Sequence, residues 1–446
     1  MTPPPARPAR YPALRHRNFT LIWGGLLVSN MGTWMQNVAQ SWLIYTLTGN
    51  DPWYLGLLGL SFALPMVLVP PLGGVLVDRV DRVRLLYCTQ TGALLLAALL
   101  ALLTWRGLVR PGHLLLASGA GALLLAFDNP ARQALLPELV PRRDLLNALS
   151  LNAASYTGAA LVGPALAGLL LSAVGAGWLF LLNALSYLAV LGALRALRDV
   201  PARPQRRERL GAALLGGFAY VGRQPLVRAL LVLSALAALF GRSYQQLLPV
   251  FAEGVWRAGA GGYGALLSAG GAGALLGAVA LASVPDLRAQ GRVLVVAGLA
   301  FCVLLGAFAL SPWFWVGVAL LVAAGVAATV FTTMIATLIQ LAVPGELRGR
   351  VMSLYAVTLI GLPALGSLGV AALAKALGDA ASPAWARPAR AVLDLLGVGA
   401  LTRHLGGAAG GPRAVVLGAL VLLAVLLLSA PAFSRVRAPS GSAPTR

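Results

Sequence analysis

The sequence predicts an all-α polytopic membrane protein, with twelve transmembrane helices in two pseudo-symmetric six-helix bundles. Three observations predict it: twelve apolar runs of membrane-spanning length, basic residues gathered in alternate loops, and an internal repeat at roughly 200 residues. Of the 446 residues 59% are hydrophobic and 52 are glycine, and only 11% are charged against about 25% in a soluble protein. A helix crosses the hydrocarbon core with about 20 apolar residues. Backbone amides in lipid must pair within their own segment, so runs this long are helices; barrel strands would alternate strictly over about ten residues.

Residues 1–18 hold four arginines with Pro3, Pro4, Pro5 and Pro8 and read as a disordered basic tail, and the run behind them is too long for a signal-peptide core. Spans one to six come next at 19–46, 53–77, 83–105, 111–131, 145–172 and 177–197, making an N-terminal bundle over 19–197. The proline-rich, charged stretch LRALRDVPARPQRRERL at 194–210 opens a linker that extends over 198–224. Spans seven to twelve, at 225–252, 261–284, 291–310, 313–342, 349–377 and 414–433, make a C-terminal bundle over 225–433. Between the last two lies an extended outer loop, 378–413, whose AVLDLLGVGAL patch fits either a short interfacial helix or a disordered excursion; 434–446 is a tail.

Basic residues resist translocation, so their distribution orients the spans. Of 34 Lys+Arg, 25 fall in the tails and loops of the face that carries both termini, eight on the other face, and Arg242 within a span. Both termini are therefore expected in the cytoplasm. The net charge of +21 would point to nucleic acid in a soluble protein, but these arginines sit in short clusters between spans and form no basic face of a soluble fold.

The halves carry traces of one ancestral unit. Gly32, Gln36 and Asn37 recur 209 residues on as Gly241, Gln245 and Gln246; Val140, Pro141, Ser150 and Leu151 recur 203 on as Val343, Pro344, Ser353 and Leu354. Pro164, Ala165 and Leu166 recur 199 on as Pro363, Ala364 and Leu365. Two parallel six-span repeats are the architecture of many secondary transporters, which bind substrate near the midplane between the halves.

The loop after span two reads GGVLVDRVDRVR at 73–84. It resembles the signature loop of the major facilitator superfamily, matching at Gly74, Asp78, Arg79 and Arg82, with Asp81 in place of a second glycine and the last basic residue displaced to Arg84. The resemblance implies a latch between the two halves; the plainer reading is a charge cluster that sets topology. The counterpart at Gly277, Asp286, Arg288, Gly291 and Arg292 is degenerate. DNPARQALLPELVP at 128–141 and QLAVPGELRGRVMSLY at 340–355 are similar to a drug- and siderophore-exporting branch of that superfamily. GAALVGPALAG at 158–168 resembles its antiporter motif, with Gly158, Gly163, Pro164 and Gly168 in place and Ala167 where glycine is usual, which implies export by exchange against protons. Small residues also serve ordinary helix packing.

Polar side chains inside a span are costly unless they face protein or water, so they mark a path. At about 100° per residue Asn30, Thr33, Trp34, Asn37 and Ser41 share a face of span one with Gln40 at its margin, and Arg242, Gln245, Gln246 and Glu253 share one of span seven. By family resemblance these helices line the central route. Arg242 is then the contact for an anionic or acceptor-rich substrate group, Trp34 and Tyr244 supply aromatic surface, and the amides complete the site; the alternative is that these groups bond one another between helices. Asp128 and Glu253 are the only candidate proton carriers, although Asp128 and Arg132, one turn apart, also fit a local ion pair.

No P-loop is present, since the only lysine, Lys375, is followed by alanine. His16, His113 and His404 are too scattered for a metal site or a triad, and Cys88 and Cys302 sit in apolar runs as packing residues, so neither an enzyme nor a cofactor is expected. The expected protein is a monomeric exporter of small amphipathic molecules (drug, macrolide or siderophore-like) in a prokaryotic-type inner membrane, working by alternating access with proton antiport, its partners being substrate, protons and the lipid bilayer. The rival readings are a receptor or scaffold without transport and, within transport, a lipid translocator or uptake carrier.

Overall fold

A computed structural model describes residues 11–77, 81–198, 220–284, 289–378 and 383–434. These are helical almost throughout, and ten helices among them have the length and hydropathy to cross a membrane. Span one, Arg17–Leu47, has the length, but its polar stripe makes it less apolar than the others. Span eleven is cut at Gly361 into Gly345–Ile360 and Leu362–Gly378, and it starts four residues before the expected boundary.

Local chemistry sets most helix ends. Pro52, Pro111 and Pro225 open spans two, four and seven, where a missing N–H costs nothing. Asp81 caps span three, Arg82–Trp105, by accepting the Arg84 N–H at 2.8 Å. The departure from the family loop is thus a helix cap. Gly175 turns the chain between spans five, Leu145–Val174, and six, Ala176–Arg195, at φ 82°.

Two expectations are corrected, and one open choice is decided. Residues 11–18, expected as part of a disordered tail, are folded: a 3-10 turn at Pro12–Arg15 buries Ala13, whose N–H donates to Asn147 Oδ1 at 3.1 Å, and His16 Nε2 meets Asp144 Oδ2 at 2.8 Å. Of the two readings of the outer loop, residues 383–409 take the helical one, with helices Arg387–Leu395 and Val398–Leu401 and a 3-10 run at Arg403–Ala409. Span seven is no regular helix: after Pro225–Leu236 it passes through a π turn at Ala237–Gly241, a 3-10 stretch at Ser243–Leu247 and a second π turn at Val250–Val255. Each π turn inserts a residue and rotates the helix beyond it, so uniform helical spacing misplaces part of its polar stripe.

In the first half span one packs on spans five and six, span two on four, and span three on four and six. In the second, span ten, Phe314–Ala342, packs on spans eight, Gly259–Ala282, and nine, Gln290–Leu310; span twelve, Gly410–Ser434, packs on nine and eleven. The halves meet along two seams, span five against eight and span two against eleven.

Candidate functional site

The seam of spans five and eight is tightest at the end of the bundle opposite the chain termini, whereas the seam of spans two and eleven stays close from Gly56 against Ala371 to Gly361 against Val67. A methyl group on Gly168 of span five would lie 2.9 Å from both the Ala260 carbonyl oxygen and the Gly264 Cα of span eight, and one on Gly264 would meet the Pro164 carbonyl more closely still. Pro164 leaves the Ala160 carbonyl without its helical donor, and that oxygen faces Gly271. On the other seam Gly56 abuts Ala371. Trp42 stacks on Tyr263 at 6.2 Å, and Asp51 pairs with Lys375 at 2.6 Å across the halves. The stripe of span five that packs on span eight continues toward the terminal end as Thr157, Ala153, Ser150 and Leu146, all exposed. Along spans five and eight this leaves a crevice between the halves that is closed at the far end and exposed on its span-five side toward the terminal end.

In its second-half wall is a cavity of about 150 Å³, lined among others by Ser234, Arg242, Tyr244, Gln245, Thr329 and Thr332, with Phe301 and Phe331 as apolar surface. Arg242 is exposed, and its guanidinium has no hydrogen-bond or ion-pair partner among the described residues. It lies within electrostatic reach of Tyr244, of Tyr355 in span eleven and of Tyr156 across the crevice. The unpaired cation is costly in a membrane protein unless water or an anion neutralises it.

The first-half face carries Asn30, whose Nδ2 approaches Ser155 Oγ at 3.5 Å, and Trp34, packed on Gly163 and tilted against Tyr156 at 6.3 Å. Asn37 is exposed between Trp34 and Ser41, and Ser41 lies beside Tyr263 of span eight. The cavity thus gathers Arg242, Tyr244 and Gln245, while Trp34 and Asn37 lie on the first-half face, Trp34 against the Tyr156 that Arg242 reaches. Two amides depart. Gln40 is buried, its Nε2 donating to the Leu114 carbonyl at 2.9 Å, so it ties span one to span four. Gln246 turns to the span-two seam, where a methyl on Gly59 would lie 2.9 Å from its Nε2. Gln40→Leu is accordingly expected to leave transport constants within about twofold and to change stability by less than about 1.5 kcal/mol. Flux and thermal melting check this; a tenfold rise in apparent KM would return Gln40 to the route.

Other candidate polar groups are paired locally. Asp128, 2% exposed, pairs with Arg132 and accepts from Thr89 Oγ1 at 2.8 Å and Gln90 Nε2 at 2.7 Å. Arg82 pairs with Glu138. Asp78 and Arg79 of the signature loop lie outside the described residues, and Gly74 falls in span two's helix, Pro52–Val77. Glu253 lies in the second π turn, half-buried and in electrostatic reach of Tyr45, without an ion pair or hydrogen-bonded side-chain partner among the described residues. Gly158 of the antiporter-like motif borders open space. Ser234, Thr329 and Thr332 escaped the sequence reading; the threonines of span ten were the available signal, hidden in a run counted only for its apolar content.

Residues 9–429 match the transmembrane secretion effector family. The chain belongs to that family, within the major facilitator superfamily. The chain is similar to the enterobactin exporter EntS of Shigella boydii, 26% identical over 79% of this chain and 86% of that one. The staphyloferrin A transporter of Staphylococcus aureus is 26% identical over 51% of this chain and 57% of its own. In fold the chain is similar to a bacterial homologue of the lysosomal transporter Spinster, with a TM-score of 0.70 at 19% identity over 98% of this chain and all of that one. This secretion effector is thus a multi-pass major facilitator transporter and not an enzyme.

Proposed function

We propose that this transporter exports small amphipathic molecules bearing an anionic or acceptor-rich group, drug-, macrolide- or siderophore-like in kind. The observation that carries the reading is Arg242, a guanidinium without a partner among the described residues, on a cavity wall it shares with Tyr244 and Gln245 and within electrostatic reach of Tyr156, against which Trp34 is tilted. A planar cation flanked by aromatic and amide surface recognises a carboxylate, phenolate or hydroxamate by paired N–H donors while the rings cover the apolar body. The names of the two relatives, an enterobactin exporter and a staphyloferrin A transporter, agree with such cargo.

In this reading the halves, 19–197 and 225–433, rock about the linker 198–224. With both termini in the cytoplasm of an inner-membrane protein, the crevice opens inward and loads from the cytoplasm. Opening the far end requires parting Gly168 from Gly264 and Asp51 from Lys375. The Asp78 and Arg79 loop would latch the terminal end when it closes. Protons drive exchange through Glu253; Asp128 is already neutralised by Arg132. The test is reconstitution with an anionic amphipathic dye under an imposed pH gradient: uphill efflux is expected, and no flux across a broad panel would favour a receptor or scaffold. Glu253→Gln is expected to keep downhill flux within about threefold while abolishing accumulation driven by the pH gradient. Unchanged uphill transport would remove Glu253 from the coupling.

A further inference from the structure

The segment between spans eleven and twelve is built firmly onto the second half. Arg413 Nη1 donates to the Leu377 carbonyl at 2.7 Å and its Nε to Thr402 Oγ1 at 2.9 Å, so one guanidinium staples the loop's return to the end of span eleven. Gly378 and Gly410 abut the opposing backbone, and Ala408 packs against Gly254 at the end of span seven. On this rigid base lies helix Arg387–Leu395, and its faces are unequal. Ala389 and Leu393 turn toward the protein. Pro388, Val392, Leu395 and Leu396 form a second, apolar stripe about a quarter turn away that nothing covers among the described residues; Leu395 is 87% exposed. Trp385 and Leu401 extend the exposed apolar surface at either end.

The remaining face is basic. Arg387, Arg390 and Arg403 stand against Asp394 in residues 383–409, and with Arg413 the segment holds four of the eight basic residues at this end of the bundle. Such residues are disfavoured on the translocated side, so their concentration here beside an uncovered apolar stripe calls for a counterpart. The chain leaves the last apolar turn of span eleven at Gly378 and re-enters a span at Gly410, which holds the segment at the level of the lipid headgroups.

We infer that Arg387–Leu395 is an interfacial helix docked on anionic phospholipid of the leaflet at the end opposite the termini. Val392, Leu395 and Leu396 enter the acyl boundary with Trp385 at headgroup depth, and Arg387 and Arg403 bind lipid phosphates. The second half's rim is then tied to the membrane surface across which it must rock, and the lipid charge sets how firmly.

The test uses the full chain with Cys88 and Cys302, its only cysteines, replaced by serine. Leu395→Cys and Asp394→Cys, both at exposed positions, are each labelled with an environment-sensitive fluorophore and reconstituted in phosphatidylcholine vesicles with or without about 30% phosphatidylglycerol. The label at 395 is expected to be quenched by nitroxide lipid and shielded at least about threefold from aqueous iodide relative to 394, and phosphatidylglycerol should strengthen the shielding. Adding Arg387→Gln and Arg403→Gln should erase that phosphatidylglycerol effect. Equal iodide access at 394 and 395 overturns the proposal. So does shielding of 395 without nitroxide quenching, which would make a second copy of the chain the occupant, or shielding indifferent to lipid charge.

Discussion

Replacing Arg242 with alanine is expected to cut transport of an anionic substrate about ten- to hundredfold, while a neutral amphipathic substrate changes by less than about threefold. A charge-assisted hydrogen bond is worth about 1.5–3 kcal/mol, and each 1.4 kcal/mol is roughly a factor of ten. The loss should appear in apparent affinity and largely spare the neutral compound, because the apolar surface of Phe301 and Phe331 stays intact. Arg242→Lys keeps the charge without the planar fork and should fall between. Melting separates recognition from support. A guanidinium without a partner among the described residues adds no ion pair or hydrogen bond to the empty carrier there, so Arg242→Ala should leave the melting temperature unchanged or raised. Equal loss for anionic and neutral substrates, or a lowered melting temperature, would make Arg242 structural.

Gly264→Leu is expected to reduce transport at least about tenfold by wedging the far end open. A side chain at 264 would collide with the Pro164 carbonyl and with Gly168, where two backbones touch and no flexible side chain can yield. Overpacking of that kind costs about 1–3 kcal/mol or more, and the cost falls only on the state in which spans five and eight meet. A two-state carrier biased by that amount shifts its population about five- to more than a hundredfold. Spin labels near Trp42 and Tyr263, stacked in the closed form, should move apart. Gly158→Leu is the control: it lies in the same helix and the same resembled motif but faces open space, so transport should stay within about twofold. Equal damage from both substitutions would mean that span five fails to fold, and a motif acting directly on protons would single out neither glycine by space.

The motif therefore illustrates how far the sequence reaches. The spacing of Gly163, Pro164 and Gly168 marked a helix meant for close approach, but not the partner; Gly163 receives Trp34 of the same half, Gly168 receives span eight of the other, and Gly158 receives nothing. The span-one stripe behaves alike. Asn37 and Trp34 lie on the first-half face, while Gln40, at the margin of the stripe, bonds span four instead. In span seven the expected face splits: the π turn at Ala237–Gly241 turns Arg242 and Gln245 into the cavity and sends Gln246 to the span-two seam. Ser234, Thr329 and Thr332 were invisible as a group because they lie on two helices nearly a hundred residues apart.

By itself the chain determined its solvent, its twelve crossings and its twofold repeat, since these depend on apolar length, on charges that resist translocation and on inherited spacing, all local in the chain. Only the tertiary structure decided which end is shut, which polar side chain finds a partner and which, like Arg242, is left facing water. Those outcomes depend on helix rotation and on the approach of backbones distant in sequence, and a single inserted residue in a π turn is enough to redirect them.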